Sequence, residues 1–587
     1  MADRYWVGGT GSWDNSVGAK WAATSGGVGG QSVPLSTDNV FFDAASGTAP
    51  YTVTVGATNK PCANLSFAGF TGTYAQSGLN TNIYEGVTLP NSTGTITGGG
   101  TWVFVGTGSF NIVSNNYILP LNFNFNSVGG VWTTTDNLSI TGAITLVTGS
   151  LVAGASITTG GTFTFTAGTV NFGSYTHTMN IFSSANANIR TINFGTATVN
   201  IAGNATTVWN TSTITNLTIS GTAPTVNFIY SGSTGTRVIS MGVLSEANSI
   251  SVNITAGSDA ITLSGASFKS LNFTGYSGAC PLGNNIIYKD LTLSATQTIA
   301  TSGTLTFSGT SVTQTITTNG ITISTATLTI NSATTTVQNV GALTTTGALT
   351  VTAGTLNINA NLTIGSTSVF TFTAGILTAN NGANITSGTF VSSSTNTRTL
   401  NMGSGTWTLG STGIVWNINA ANLTLNAQQS RILINNTASP TVANSFSGGS
   451  GFTYYTLEYA RGAATANFNI VSSGTFANFI DNTSTAAHNI VFTSGGTYQF
   501  HRFNVRGAST AARISILRSA TTIATLVKLG QGVVCNSDYL TVNATLSYTP
   551  STGVWYAGAN STGAPAGGWI AGNAPSSQSL LGAGGVG

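Results

Sequence analysis

From about residue 60 to residue 440 the chain is written in short phrases that alternate an apolar residue with Thr, Asn or Ser. Thr304-Leu305-Thr306-Phe307, Ile321-Thr322-Ile323-Ser324, Thr327-Leu328-Thr329-Ile330 and Leu349-Thr350-Val351-Thr352 are typical. Alternation with a period of two, rich in β-branched residues, predicts half-buried strands. Gly, Ser and Asn clusters interrupt these phrases every few residues and predict turns. No amphipathic helical window accompanies them. The fold class is therefore all-β.

Similar phrases recur, as in Gly303-Thr304-Leu305-Thr306, Gly347-Ala348-Leu349-Thr350, Gly354-Thr355-Leu356-Asn357 and Gly405-Thr406-Trp407-Thr408. Approximate self-similarity at short, uneven spacing favours stacked coils over a row of sandwiches, whose strands need individual partners. The expected architecture is a right-handed parallel β-helix (a β-solenoid) with about 20–25 residues per coil and about 15–18 coils in the middle region. Apolar residues would stack inside, and Thr and Asn would form ladders outside. An open solenoid end exposes unpaired strand backbone, so both ends need caps.

The predicted organisation has four parts. Residues 1–60 form a Trp-rich N-terminal cap or attachment segment, and 61–440 form the solenoid body. Residues 441–540, richer in Arg and aromatics, form a smaller β-rich C-terminal region. Residues 541–587 hold a closing motif and a Gly-rich tail.

Composition sharpens the class. Only 5% of the 587 residues are charged, against 41% hydrophobic and 74 Gly. A typical soluble domain is about 25% charged. There is enough apolar material to bury a core, so the chain is not a charged disordered tail. The formal net charge of +3 is too small to argue for nucleic acid as a partner. Cys62, Cys280 and Cys535 are too few and too scattered for a disulfide framework or a zinc site, and read as buried reduced thiols. The sequence presents neither a secretory leader nor an apolar run long enough for a membrane-spanning helix.

The opening reads Tyr5-Trp6-Val7-Gly8-Gly9-Thr10-Gly11-Ser12-Trp13-Asp14, then Lys20-Trp21, Val33-Pro34 and Asp38-Asn39-Val40-Phe41-Phe42. Trp6, Trp13 and Trp21 suit a plug for an open coil end. Asp14 and Asp38 suit turns, and Pro34 an edge that no strand continues. This opening resembles that of bacteriophage virion appendage proteins of the tail-fibre and spike kind, and is also similar to autotransporter-type adhesin passengers. Val554-Trp555-Tyr556-Ala557-Gly558, followed by Gly567-Gly568-Trp569-Ile570, resembles the ends of phage particle proteins. The resemblance implies a β-helix beginning after the opening motif, and a virion protein made in the host cytoplasm. Without the leader and membrane barrel of an autotransporter, the phage reading is favoured. Its partners would be other virion proteins and a host-surface glycan. The protein is expected to be a homo-oligomer, a trimer favoured, because trimerisation would bury the flat faces of a nearly neutral rod.

Candidate chemistry is sparse. His177 reads as a surface or ladder residue, and no motif links His488 and His501 to Asp481 or Arg502. The acidic residues of the body are Glu85, Asp136, Glu246, Asp259 and Asp290. Glu246 and Asp259 are the pair to consider for a polysaccharide depolymerase, which needs two carboxyl groups about 5–10 Å apart. The expectation is nonetheless a non-enzymatic structural and adhesive protein without metal or cofactor, with a bacterial surface adhesin and a depolymerase tailspike as alternatives. Arg502, Arg506, Arg513 and Arg518, with Lys528, form a basic stretch that reads either as a docking face for an acidic partner or as a solvated strand face, with Arg513-Ile514-Ser515-Ile516-Leu517-Arg518 presenting an outward Arg row. Tyr454, Tyr455 and Tyr459, with Phe452, are candidates for stacking on sugar rings or, equally, for packing where the rod meets its terminal region.

Overall fold

A computed structural model describes residues 1–13, 18–56, 58–437, 439–530, 537–542, 546–550, 555–563 and 569–573. The chain is all-β, with about 1% helix, and forms a parallel β-solenoid of about 22 turns. It divides into two compact units, one of Met1–Cys280 with Thr296–Thr298 and one of Pro281–Ala295 with Ile299–Gly587.

In the first unit, parallel pairing runs turn by turn. Trp102 pairs with Phe123, Phe123 with Ile144, Ile144 with Phe163, Phe163 with Phe182, Phe182 with Trp209, and Trp209 with Ile239. All seven side chains are buried, so one inward position per turn builds a continuous apolar column. The second unit repeats the device through Leu305, Leu328, Leu349, Phe370, Phe390, Trp416 and Phe446. Burying each such side chain is worth about 1.5–3 kcal/mol. The β-branched Thr, Val and Ile between them have few rotamers to lose in an extended backbone.

The outward positions are also tied along the stack. Asn227 Nδ2 donates to Asn200 Oδ1 at 3.0 Å and Asn253 Nδ2 to Asn227 Oδ1 at 2.9 Å. Asn426 does the same to Asn401 at 2.7 Å. These residues sit opposite one another because the parallel strands are in register.

The strands of 441–540 belong to the same kind of parallel ladder as those before residue 440. Phe446 pairs with Ile470, Ile470 with Phe492, and Ile490 with Ile516. The aromatic texture of this region comes from inward columns: Phe468, Phe476, Phe479, Phe492, Tyr498, Phe500 and Phe503 are all buried.

At the start of the chain, among the described residues, the parallel rule is broken once. Asp3–Trp6 pairs antiparallel with Trp21–Ala22 and parallel with Asn39–Phe41. Trp6, Trp13 and Trp21 are fully buried and gather around Phe42, at ring-centroid distances of 6.1, 5.8 and 6.0 Å. Asp38 accepts hydrogen bonds from the backbone N–H groups of Ala2 and Leu35 and so fixes the local turn. Asp14 lies outside the described residues. Near the other end Trp555 and Trp569 pack at 4.9 Å, with Phe503 5.3 Å from Trp555.

Candidate functional site

The predicted docking residues fall into three structural groups. Tyr454 and Tyr459 are buried, which rules them out as sugar platforms and agrees with the packing alternative. Tyr454 packs edge-on against Phe446 at 5.1 Å and donates its hydroxyl hydrogen to Gly448 O. Tyr459 stacks on Phe468 at 4.4 Å. Burial pushes both phenols above their ordinary pKa. Tyr455 remains 40% exposed.

The physical reason is a corner. The inward residues Phe476 and Phe479 stand three apart, as do Phe500 and Phe503 in the next turn and Tyr454 and Leu457 in the previous one. A straight strand alternates with period two, so two adjacent residues between each pair must span a bend. Register places these residues on one another: Tyr454, Phe476 and Phe500 align, as do Thr456, Asn478 and Arg502. Tyr455, Ala477 and His501 therefore follow one another up the corner. The register sets Tyr455 on the same corner as His501 and Arg502, two turns apart, and all three side chains are exposed. His501 was missed as a member of this patch. The aromatic-x-x-aromatic spacing at 476–479 and 500–503 is the sequence signal that marks the bend.

Arg506 and Arg513 face a different task. Arg506 approaches Asp538 at 4.0 Å, and Arg513 donates through Nε and Nη2 to Asn560 O at 3.3 and 3.1 Å. Asn560 in turn donates its backbone N–H and its side-chain amide to Asp538. Burial alone would raise the Asp538 pKa. The hydrogen bonds from Asn560 and Tyr539, with the Arg506 charge, outweigh it and hold the carboxyl below its ordinary value. This cluster fastens the closing segment. Arg518 donates to Thr521 O, and Lys528 is buried. The expected outward Arg row does not form. Arg513 and Arg518 stand five apart, on opposite phases of a strand whose Ile514 and Ile516 point inward.

The remaining ionisable groups are largely absorbed into the fold. His177 is fully buried, which corrects the surface half of its reading, and sits in a ladder opposite Val199. Its Nδ1 accepts from Ile157 N at 3.1 Å and its Nε2 lies 2.8 Å from Phe172 O. Desolvation lowers its pKa, and the bond to Phe172 offsets only part of that. His488 Nε2 meets Asp481 Oδ2 at 2.7 Å, both side chains sealed from solvent, while Ser484 donates to the other carboxylate oxygen at 2.7 Å. The serine touches the acid and not the imidazole, so this is not the order of a nucleophile–base–acid relay. Asp259 is buried in a two-bond clasp with Arg237. Glu246 lies in a short 3-10 turn, Glu246–Asn248.

Cys62 and Cys280 are buried thiols whose pKa burial drives upward; Cys535 lies outside the described residues. Among the described residues no cluster of His, Cys, Asp and Glu suits a metal ion, and no helix is long and apolar enough to cross a membrane.

Several buried cations were invisible in the sequence reading, Arg190 and Arg398 among them. Arg190 and Arg398 are fully buried, and both are satisfied by neutral oxygens. Burial lowers the pKa of each, but guanidinium remains protonated in proteins. No family model, curated protein or solved structure matches this chain.

Proposed function

We propose that the protein is a non-catalytic structural component of a bacteriophage particle: a tail fibre, spike or head appendage that serves as a stiff spacer and attachment element. On this reading it is made in the host cytoplasm and joins other virion proteins as a homo-oligomer, with a trimer favoured. The corner at Tyr455, His501 and Arg502 offers an aromatic face and hydrogen-bond donors for a host glycan or a particle protein.

One observation carries the reading. Successive turns are joined inside by aromatic and aliphatic columns and outside by asparagine bonds such as Asn200–Asn227–Asn253. A stack bonded on both its inner and outer surfaces resists bending and local opening. The engaged state of Asp259 and Asp481 also favours a mechanical over a hydrolytic role, because a sugar-cleaving acid must reach its substrate. The opening and closing Trp motifs supply the resemblance to phage particles.

The test is to purify intact phage particles and image them with gold-labelled antibody against this chain. Label at a fixed place on the particle is the expected result. Particles that lack the protein overturn the proposal.

A further inference from the structure

Arg190 and Arg398 occupy equivalent places in two different turns. Arg190 donates from Nε to Asn188 O, from Nη1 to Ser184 O and Oγ, and from Nη2 to Thr213 O and Thr215 O. Arg398 donates from Nε to Asn396 O, from Nη1 to Ser392 O and Oγ, and from Nη2 to Asn419 O and Ala421 O. In each case the serine hydroxyl reaches back one turn, Ser184 to Phe165 O and Ser392 to Phe372 O. In the turn that follows, Asn216 and Asn422 both adopt left-handed backbone, φ 56° and 53°, and donate to Ala187 O and Thr395 O.

The correspondence extends well beyond the arginines. The column Trp102, Phe123, Ile144, Phe163, Phe182, Trp209, Ile239 matches Leu305, Leu328, Leu349, Phe370, Phe390, Trp416, Phe446 position by position. The long strands Asn122–Thr134 and Thr325–Val340 carry the same pair of register shifts. These fall at Phe125/Asn126 and Asn126/Val131 in one, and at Ile330/Asn331 and Asn331/Thr336 in the other. Asn115 and Asn319, at φ 53° and 50°, donate to Leu89 O and Leu293 O.

Glycines match as well. A Cβ on Gly168 would stand 2.1 Å from Gly149 O, and one on Gly375 would stand 2.0 Å from Gly354 O. Stacked coils of any origin share inward columns. They do not by that fact share a five-bond arginine clamp, paired register shifts and paired left-handed asparagines in one order.

We infer that residues 101–240 and 304–447 are two copies of one module, the product of an internal duplication, and that the module is the unit in which this chain lengthens or shortens. Its inward frame is kept. The tips that the clamp holds differ, Ala185-Asn186-Ala187-Asn188-Ile189 against Ser393-Ser394-Thr395-Asn396-Thr397. The frame therefore fixes the fold, and the exposed tips are free to change. That copy number sets the reach of an appendage rests on the spacer reading above. The equivalence of the copies does not, and it is tested by folding alone.

Removing residues 191–398 joins Arg190 to Thr399 and leaves one hybrid copy. Ser184 and Asn188 then clamp Arg190 from one side, and Asn419 and Ala421 from the other. The variant is expected to be soluble, protease-resistant and cooperative in thermal unfolding. Removing residues 191–388 instead joins Arg190 to Thr389, half a turn out of step, and is expected to aggregate. A second variant keeps both copies and replaces residues 182–220 with a second copy of 390–426. It is expected to fold, with an unfolding midpoint near that of the parent chain. The exchange decides the matter if the in-step deletion does not fold. An exchange variant as unstable as the out-of-step deletion overturns the inference.

Discussion

Arg237 holds Asp259 through two parallel hydrogen bonds, Nε to Oδ2 at 2.6 Å and Nη2 to Oδ1 at 2.8 Å, with both side chains shut away from solvent. A buried pair of this kind is costly to break because the surviving charge has no water to turn to. Asp259→Asn is expected to destabilise the fold by about 3–5 kcal/mol. The double change Arg237→Met with Asp259→Leu should cost distinctly less, since no charge is stranded. Urea unfolding of the three proteins checks this. A single variant no worse than the double would refute it.

His177 gives the fold a dependence on acid. Its ordinary pKa is 6.5, and burial lowers it in the folded chain. As the pH falls below about 6.5 the unfolded chain takes up a proton that the folded chain refuses. The stability due to neutral His177 is therefore complete above that pH and is lost as the pH drops through the lowered folded value. Thermal midpoints recorded from pH 8 to pH 4 should fall less steeply in His177→Gln than in the parent protein. Equal slopes would rule the residue out.

Gly168 and Gly235 share a φ of 96°, yet a Cβ would collide only at the first, 2.1 Å from Gly149 O, and would meet nothing within 4 Å at the second. Gly235→Ala should cost about 1–2 kcal/mol for the backbone alone. Gly168→Ala adds a clash with rigid backbone in the adjacent turn and should cost clearly more. Paired unfolding curves test the order, and equal losses would contradict the stacked geometry.

Trp21 stands 5.2 Å from Trp6 and 5.5 Å from Trp13. Trp21→Ala is expected to cost about 3–5 kcal/mol. By loosening the cover of a strand edge it should also promote end-to-end association. Light scattering at increasing concentration reads the second effect. A variant that unfolds early but stays dispersed would separate the Trp cluster from any capping role.

The Tyr455 corner and the Tyr454 core make opposite predictions. Tyr455→Ser together with Arg502→Ser should change stability by no more than about 0.5 kcal/mol while reducing adsorption of particles to host cells. Tyr454→Ala should cost about 3–5 kcal/mol. Adsorption unchanged by the first pair would remove the corner from the attachment reading.

Much of this architecture can be read directly from the alternation of Leu, Ile, Val and Phe with Thr and Asn, because one residue in two must face a dry interior. The Trp6, Trp13 and Trp21 cluster was equally readable, since three large rings near a solenoid end have few other places to go. The orientation of Tyr454, Tyr455 and Tyr459 was not. Alternation predicts orientation only while the strand is straight, and a bend at Tyr455 shifts the phase of everything after it. Arg190 and Arg398 were missed for another reason. Four of the five partners of each are carbonyl oxygens, which every residue possesses, so no side-chain motif announces them. Only the repeated phrase Arg-Thr-Ile-Asn-Phe-Gly and Arg-Thr-Leu-Asn-Met-Gly, beginning at Arg190 and at Arg398, gives them away.

The seclusion of Cys62 and Cys280 has a consequence for where the chain can work. A thiol reacts as its thiolate, and at these two positions the surrounding apolar packing opposes that ionisation. Oxidant outside a cell and glutathione within it meet the same inert sulfur atoms. At these positions the protein can pass from a reducing to an oxidising medium with no covalent bond made or broken.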